Sequence, residues 1–256
     1  MAQLEIDQFE CLSDNYGVLI HDPASGATAS VDAPEQGPID AALARTGWQL
    51  SHILVTHHHA DHTGANLAVK QKHGATIVGN AADAGRIPGI DVTVEDGGTY
   101  DFAGHVAQIM DTSGHTVGHI TYYFADEGVA FAGDTLFTLG CGRVFEGTMD
   151  QMWASLVKLK ALPPETIVYS GHEYTKANAR FALSVDPDNR ELVARAGEVD
   201  DLRSRGEATV PTTIARELAT NPFLRPDDAA IRAHLGMPSA SDAEVFAEIR
   251  RRKDSF

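Results

Sequence analysis

The run Thr56-His57-His58-His59-Ala60-Asp61-His62 places several metal-binding side-chain types within one short segment. It follows the apolar, partly β-branched stretch 51–56, which predicts a buried strand, and residues 64–66 open a predicted helix. Side chains at the C-terminal end of a strand lie where α/β sheets usually bind ligands. The run therefore predicts an α/β domain with a metal site, and its candidate ligands are His57, His59, Asp61 and His62. A solvated histidine-rich loop or a tag is the simpler interpretation, but a tag lacks the aspartate and lies at a terminus.

Composition limits the classes of partner that this chain of 256 residues can have. With 20 Lys and Arg against 36 Asp and Glu, the net charge is −16, so nucleic acid and anionic membranes are unfavourable partners. Two cysteines, Cys11 and Cys141, cannot form a disulfide framework. We see no signal peptide at residues 1–7 and no apolar run of membrane-spanning length. We expect a cytoplasmic monomer that acts on a small molecule.

The pattern of predicted elements changes near residue 172. Before it, short β-like runs such as 16–20, 75–78 and 120–124 alternate with helical segments at 38–46, 64–73 and 149–161, which favours an α/β domain. After it, the strands stop. Helices are predicted from Asp186 to Gly206 and from Ser241, which forms a capping box with Glu244. The predicted division is 1–172 and 173–256.

Three more candidate ligands each follow a glycine at the end of an apolar run. His115 follows Gly114, Asp134 follows Gly133, and His172 follows Gly171; the four strand ends could converge on one cleft. Each of these signals is weak alone, and together with the first run they form a strong constellation.

These residues resemble those of metallo-β-lactamase-fold hydrolases, and the details are similar to the glyoxalase II (hydroxyacylglutathione hydrolase) family. The first run marks only the superfamily. The narrower resemblance rests on the segments 131–137, 140–148, 171–175, 221–225 and 251–256. The resemblance implies an α+β fold, a metallo-β-lactamase αβ/βα sandwich (1–172) followed by a small all-helical glutathione-binding domain (173–256).

The resemblance also implies a binuclear centre with two divalent metal ions per chain. Zinc is the expected metal, and iron and manganese are the alternatives. One ion would be bound by His57, His59 and His115 and the other by Asp61, His62 and His172, with Asp134 bridging. Asp61 and Asp134 would be the catalytic residues, acting with a metal-bridging hydroxide. His58, whose ring is out of phase with its neighbours, is expected to face away, and Cys141 to be a buried thiol.

Substrate contacts are implied at Arg143, Phe145, Tyr174, Arg250 and Lys253. Arg143 stands where lysine is frequent in the family, and Phe145 stands where tyrosine is frequent. The missing hydroxyl is expected to weaken binding by about 0.5–1.5 kcal/mol. The implied reaction is hydrolysis of S-D-lactoylglutathione to glutathione and D-lactate, the second step of methylglyoxal detoxification.

Other functions remain open at this level. A glutathione persulfide dioxygenase of the same fold would use one iron bound by two histidines and a carboxylate, and would not need Asp61, His62 and His172 as a second set. A lactonase, a β-lactamase or a general thioesterase would lack the segments 221–225 and 250–253. A non-catalytic metal-binding protein would not need seven intact ligand positions.

Overall fold

The computed structural model describes residues 3–256, and their contacts separate into two compact units. The first unit runs up to Asp111 and also includes Gly118–Gly133. The second unit consists of Thr112–Val117 and Asp134–Phe256. Neither unit is one continuous piece of chain, because the segments 112–117 and 118–133 belong to different units.

The first sheet of the first unit carries the histidine-rich turn. Its six strands lie in sequence order, antiparallel from β1 to β3 and parallel from β3 to β6. The β3–β4 and β4–β5 connections contain α-helices, the usual crossover between parallel strands, whereas the β5–β6 connection contains one 3-10 turn at Ala81–Asp83. The elements are β1 (Glu5–Cys11), β2 (Asn15–His21), β3 (Ala27–Val31), α1 (Gln36–Thr46), β4 (Gln49–Leu54), α2 (Ala60–Thr63), α3 (Asn66–His73), β5 (Thr76–Asn80) and β6 (Val92–Val94).

A second, antiparallel set of strands completes the first unit, with β8 pairing to β7 and to β9, and β9 to β10. Its strands are β7 (Thr99–Phe102), β8 (His105–Asp111), β9 (Ile120–Phe124) and β10 (Val129–Phe131). Tyr122 on β9 is fully buried and its hydroxyl donates to the carbonyls of Val55 (3.1 Å) and Val78 (3.2 Å) at the end of the first sheet. The two sheets therefore pack face to face, as in a sandwich.

The outer face of the first sheet is covered by α1 and α3. Ile39 on α1 and Val69 on α3 pack with Ile53 and Ile77 of the sheet in one apolar cluster, and all four are fully buried. Burying each such side chain contributes about 1.5–3 kcal/mol. This cluster supports β4, whose C-terminal end leads into the histidine-rich turn.

The second unit is mostly helical. Its elements are β11 (Leu136–Phe137), β12 (Gly140–Cys141), α4 (Met149–Lys160), β13 (Ile167–Tyr169), α5 (Thr175–Val185), α6 (Arg190–Ser204), β14 (Thr212–Thr213), α7 (Ile214–Thr220), α8 (Ala229–Leu235) and α9 (Asp242–Asp254). Helices α4 and α9 pack through Trp153 and Phe246, whose rings stack at 5.6 Å. Phe246 also lies edge-on to the buried Phe223.

Most predicted elements are present, with two differences. The capping box of Ser241 and Glu244 begins α9, and helices occur at 36–46, 66–73 and 149–160. The expectation that strands stop after residue 172 is wrong at β14, where two β-branched threonines pair with β13. The helix expected from Asp186 begins at Arg190, because Asn189 is its N-cap. The domain division at residue 172 stays a prediction.

Candidate active site

The histidine-rich turn brings four predicted ligands together in the first unit. His57 and His62 are buried, His59 is partly exposed, and Asp61 and His62 lie on the short helix α2. Nε2 of His57 lies 3.2 Å from Nδ1 of His59, and Nε2 of His62 lies 3.7 Å from the Asp61 carboxylate. The rings of His57 and His62 are 4.1 Å apart. The first unit therefore concentrates imidazole and carboxylate atoms at one point.

Asp32 orients this turn, although the sequence did not single it out. It is buried at the end of β3, and its backbone has a φ of +59°, a conformation that aspartate adopts more readily than most residues. Its carboxylate accepts from the backbone N–H of Thr56 at 2.7 Å, from the Thr56 hydroxyl at 2.8 Å, and from Nδ1 of His62 at 2.7 Å. The ligand atoms of Asp32, His57 and His62 lie within 4.8 Å of one another. Because its oxygens already accept these bonds, we assign Asp32 to orienting His62 and not to metal binding.

Two more residues, Asn15 and Asp83, hold polar side chains of the turn. The side-chain amide of Asn15 donates to the carbonyl (3.1 Å) and the carboxylate (3.2 Å) of Asp61. Nδ1 of His58 lies 3.0 Å from the carboxylate of the fully buried Asp83. This pairing fits the expectation that His58 is not a ligand.

The other three predicted ligands lie together in the second unit. One carboxylate oxygen of Asp134, Oδ2, lies 3.4 Å from Nε2 of His115 and 3.2 Å from Nε2 of His172. All three residues are buried. An oxygen that two imidazole nitrogens approach in this way has the arrangement expected of a carboxylate within a metal site.

The backbone of residues 142–143 holds this group in place. Nδ1 of His115 donates to the carbonyl of Arg143 at 2.8 Å, which leaves Nε2 facing Asp134. The N–H of Gly142 donates to the carbonyl of Thr135 at 3.1 Å. A Cβ at Gly142 would overlap the carbonyl oxygen of Asp134. Glycine is therefore required here for a close backbone approach and not for its φ angle.

A hydrogen-bond network fixes the β11–β12 hairpin, which follows Asp134. Glu217, fully buried on α7, accepts from the N–H of Leu139 at 2.8 Å and from the side-chain amide of Asn221 at 2.9 Å. Asn221 also donates to the carbonyl of Gly140 at 2.9 Å. The other Glu217 oxygen pairs with the buried Arg195 at 2.5 Å. No local sequence pattern marks these residues as a group.

Three of the predicted substrate contacts form a cationic cluster. Arg250 is buried, donates to the carbonyl of Cys141 at 2.8 Å, and lies over the ring of Phe223 at 5.1 Å. Both Arg250 and Arg143 form ion pairs with Asp254. Burial, followed by the charges of Arg250 and Arg143, lowers the pKa of Lys253.

The two aromatic residues predicted to bind substrate flank the predicted ligands of the second unit. Tyr174 stacks on His172, with ring centroids 4.6 Å apart and planes within 6°. Phe145, 60% exposed, lies edge-on to His115 at 5.2 Å. Exposed aromatic rings beside buried ligands are suited to contact a substrate.

The donors present are those that zinc and similar divalent ions require. Two nitrogens bound at 2.0–2.1 Å to a tetrahedral zinc lie roughly 3.3–3.4 Å apart, close to the 3.2 Å between His57 Nε2 and His59 Nδ1. Imidazole and carboxylate donors also suit iron and manganese. The residues of each unit therefore fit divalent metal ions.

Two family models match consecutive parts of the chain. Residues 14–172 match the metallo-beta-lactamase superfamily, and residues 173–256 match the hydroxyacylglutathione hydrolase C-terminus. Curated relatives named hydroxyacylglutathione hydrolase include that of Rhizobium meliloti, 59% identical with 100% of both chains covered, and that of Maricaulis maris, 57% identical with the same coverage. This chain belongs to the hydroxyacylglutathione hydrolase family.

Solved structures agree with the fold that the hydroxyacylglutathione hydrolase family implies. ETHE1 from Myxococcus xanthus is 29% identical with a TM-score of 0.69, and 96% of this chain and 90% of that one are covered. The BLEG-1 B3 metallo-beta-lactamase is 22% identical with a TM-score of 0.66, and 86% of this chain and 100% of that one are covered. The predicted metallo-β-lactamase fold with a helical C-terminal region is confirmed. Among residues 3–256, no helix combines the length and apolarity needed to cross a bilayer.

Proposed function

We propose that this chain is a metal-dependent thiolesterase that hydrolyses S-(R)-2-hydroxyacylglutathione, with S-D-lactoylglutathione as substrate and glutathione and D-lactate as products. The observation that carries the proposal is full-length identity of 54–59% to relatives named hydroxyacylglutathione hydrolase. The cationic cluster of the second unit supports it, since glutathione carries two carboxylates and this acidic protein needs local cations to bind them.

The ligand assignment from the sequence is carried forward as part of the proposal. His57, His59 and His115 would bind one divalent ion, Asp61, His62 and His172 would bind another, and Asp134 would bridge them. The converging donor atoms within each unit support this assignment. When bound, such ions polarise a carbonyl and provide hydroxide at neutral pH, and zinc suits the histidine-rich set best.

The chain's own residues would orient the reacting groups. Asp61, held by Asn15, would accept a hydrogen bond from the attacking water and so orient it. The hydroxyl of Tyr174 would contact the glutathione moiety, and Arg143, Arg250 and Lys253 would bind its glycine carboxylate. A thiolate leaves with little help, since a thiol has a pKa of roughly 8.5, and no further general acid is needed.

The deciding experiment follows S-D-lactoylglutathione hydrolysis at the thioester absorbance, with metal content measured on the same sample. We expect activity that is lost on chelation and about two metals per chain, following the proposed ligand sets. Hydrolysis that persists in metal-free protein would overturn the proposal.

A glutathione persulfide dioxygenase is the main alternative. It would give no hydrolysis, a single bound iron and oxygen consumption with glutathione persulfide. The match of residues 173–256 to the hydroxyacylglutathione hydrolase C-terminus favours the thiolesterase.

A further inference from the structure

The carboxylate of Asp254 lies within the cationic cluster of the second unit. Its Oδ1 lies 2.9 Å from Nη2 of Arg250 and 3.3 Å from Nε of Arg143. A single oxygen therefore joins a buried guanidinium, whose side chain is 5% exposed, to one whose side chain is 55% exposed. The arrangement links the exposed arginine of the cluster to the buried one.

Helix stability does not explain a carboxylate at this position. Asp254 is the last residue of α9, and the three residues before it are basic. The C-terminal end of a helix carries partial negative charge, so a carboxylate there is unfavourable by about 0.3–1 kcal/mol. Its pairing with residue 250 also runs from a basic residue to an acidic one along the helix, the less favourable order.

The cations need an organising partner. Arg143, Arg250 and Lys253 carry like charges, and after burial the charges of Arg250 and Arg143 contribute to the lowered pKa of Lys253. Arg250 is already held by the Cys141 carbonyl and the Phe223 ring. Arg143, by contrast, extends from a loop with a largely exposed side chain, and besides Asp254 it lies 5.8 Å from the ring of Phe145, which is itself exposed.

We propose that Asp254 is a positioning residue that ties Arg143 to Arg250, so that the cationic cluster is assembled before the substrate's glycine carboxylate arrives. This inference rests on the proposed function, in which that cluster binds glutathione. The exposed Arg143 side chain therefore loses its conformational entropy when the protein folds, and not when the substrate binds.

The test compares Asp254→Asn with the unmodified enzyme, each loaded with metal, on two substrates. With S-D-lactoylglutathione, KM should rise about fivefold, the size of one exposed ion pair, at unchanged kcat. With the same thioester esterified at its glycine carboxylate, KM should be equal in the two proteins. In an Arg143→Gln background, Asp254→Asn should have no further effect on KM.

Glu248→Gln is the matched control, because Glu248 pairs with Arg251 and Arg252 on the same helix and touches neither Arg143 nor Arg250 in the ion pairs of residues 3–256. Its KM should equal that of the unmodified enzyme. An unchanged or lowered KM in Asp254→Asn, or the same rise with the esterified substrate, would overturn the inference and leave the thiolesterase proposal intact. An unmodified enzyme that hydrolyses neither thioester would overturn the thiolesterase proposal itself.

Discussion

Nδ1 of His62 donates a hydrogen bond to the carboxylate of Asp32 across 2.7 Å, in a site where both side chains are almost completely buried. The bond places the proton on Nδ1, so the lone pair of the ring lies on Nε2. The same carboxylate holds the backbone of Thr56, the residue before His57. One side chain therefore sets both the tautomer of a predicted ligand and the backbone at the start of the turn that carries it.

Replacing Asp32 by Asn should weaken metal binding by about 10–100-fold, the usual effect of losing a carboxylate behind a histidine ligand. The amide can accept from Thr56 or His62, but its N–H₂ group cannot replace the second acceptor. Zinc affinity, measured by competition with a chelator, checks this. Asp22→Asn is the control, because Asp22 is a buried turn aspartate that contacts His105; equal zinc affinities in the two variants would contradict the role of Asp32.

His58 and His59 should differ sharply in their effect on metal content. His58→Gln should keep the metal content of the unmodified protein, because its ring is engaged by Asp83. His59→Gln should lose metal and activity, because Nδ1 of His59 lies beside Nε2 of His57. Metal analysis after gel filtration distinguishes them, and a loss of metal in His58→Gln alone would show that the two roles are reversed.

Glu217→Gln should lower the free energy of unfolding by about 3–5 kcal/mol, because it leaves the buried charge of Arg195 without its carboxylate. The matched control is Glu198→Gln, which removes the carboxylate from the exposed pair with Arg216 and should cost about 0–1 kcal/mol. Urea unfolding measures both. Similar losses of unfolding free energy in the two variants would mean that burial of the pair between Glu217 and Arg195 does not increase its contribution to stability.

Both cysteines should be inert in the folded protein. Burial raises the pKa of Cys141 to about 11 and that of Cys11 to about 12, so almost no thiolate exists at neutral pH. Iodoacetamide at pH 7.5 should leave the native chain unlabelled by mass spectrometry and fully active, and should label both sites after denaturation. Activity lost in step with one label on Cys141 would revive a nucleophilic role for that thiol.

Stability should fall at acidic pH partly through His52. Its ring lies edge-on to Phe102 at 5.3 Å, and burial lowers its pKa below the ordinary 6.5. The unfolded chain therefore binds the proton more readily, and this stabilising contribution is complete above about pH 6.5 and is lost as pH falls below it. The difference in unfolding free energy between the unmodified protein and His52→Gln should be flat near pH 8 and decline by pH 5.5; a pH-independent difference would rule out the titration.

Local patterns allowed correct sequence predictions where the interaction is local. The capping box of Ser241 and Glu244 spans three residues, and the turn 57–62 follows directly from a strand. Asp32 was not predicted because its partners lie 24–30 residues away, and Glu217 was not predicted because the hairpin residue that it binds, Leu139, lies 78 residues earlier. No periodicity marks a single buried carboxylate. The two-residue strand β14 is too short for any alternation to show.

The seven predicted ligand positions could be proposed from their residue types, but the residues that hold them in place could not. That Arg143 contributes its carbonyl to His115 depends on backbone geometry that any residue would supply. Likewise, the family resemblance implied Arg250 and Lys253 as substrate contacts, whereas the pairing of Asp254 with Arg143, 111 positions earlier, is visible only in the structure. Contacts between residues far apart in the chain cannot be predicted from a single sequence.

The buried hydrogen bonds from Glu217 and Asn221 to the β11–β12 hairpin limit where the chain can be truncated or recombined with a relative. The chain immediately after Asp134 depends on α7 for partners to Leu139 and Gly140. Moving the helical region onto another hydrolase, or keeping only the residues before it, would leave those backbone groups without their hydrogen-bond partners, a few residues from the predicted ligand Asp134. Recombination within this family should therefore succeed only when the hairpin and α7 are inherited together.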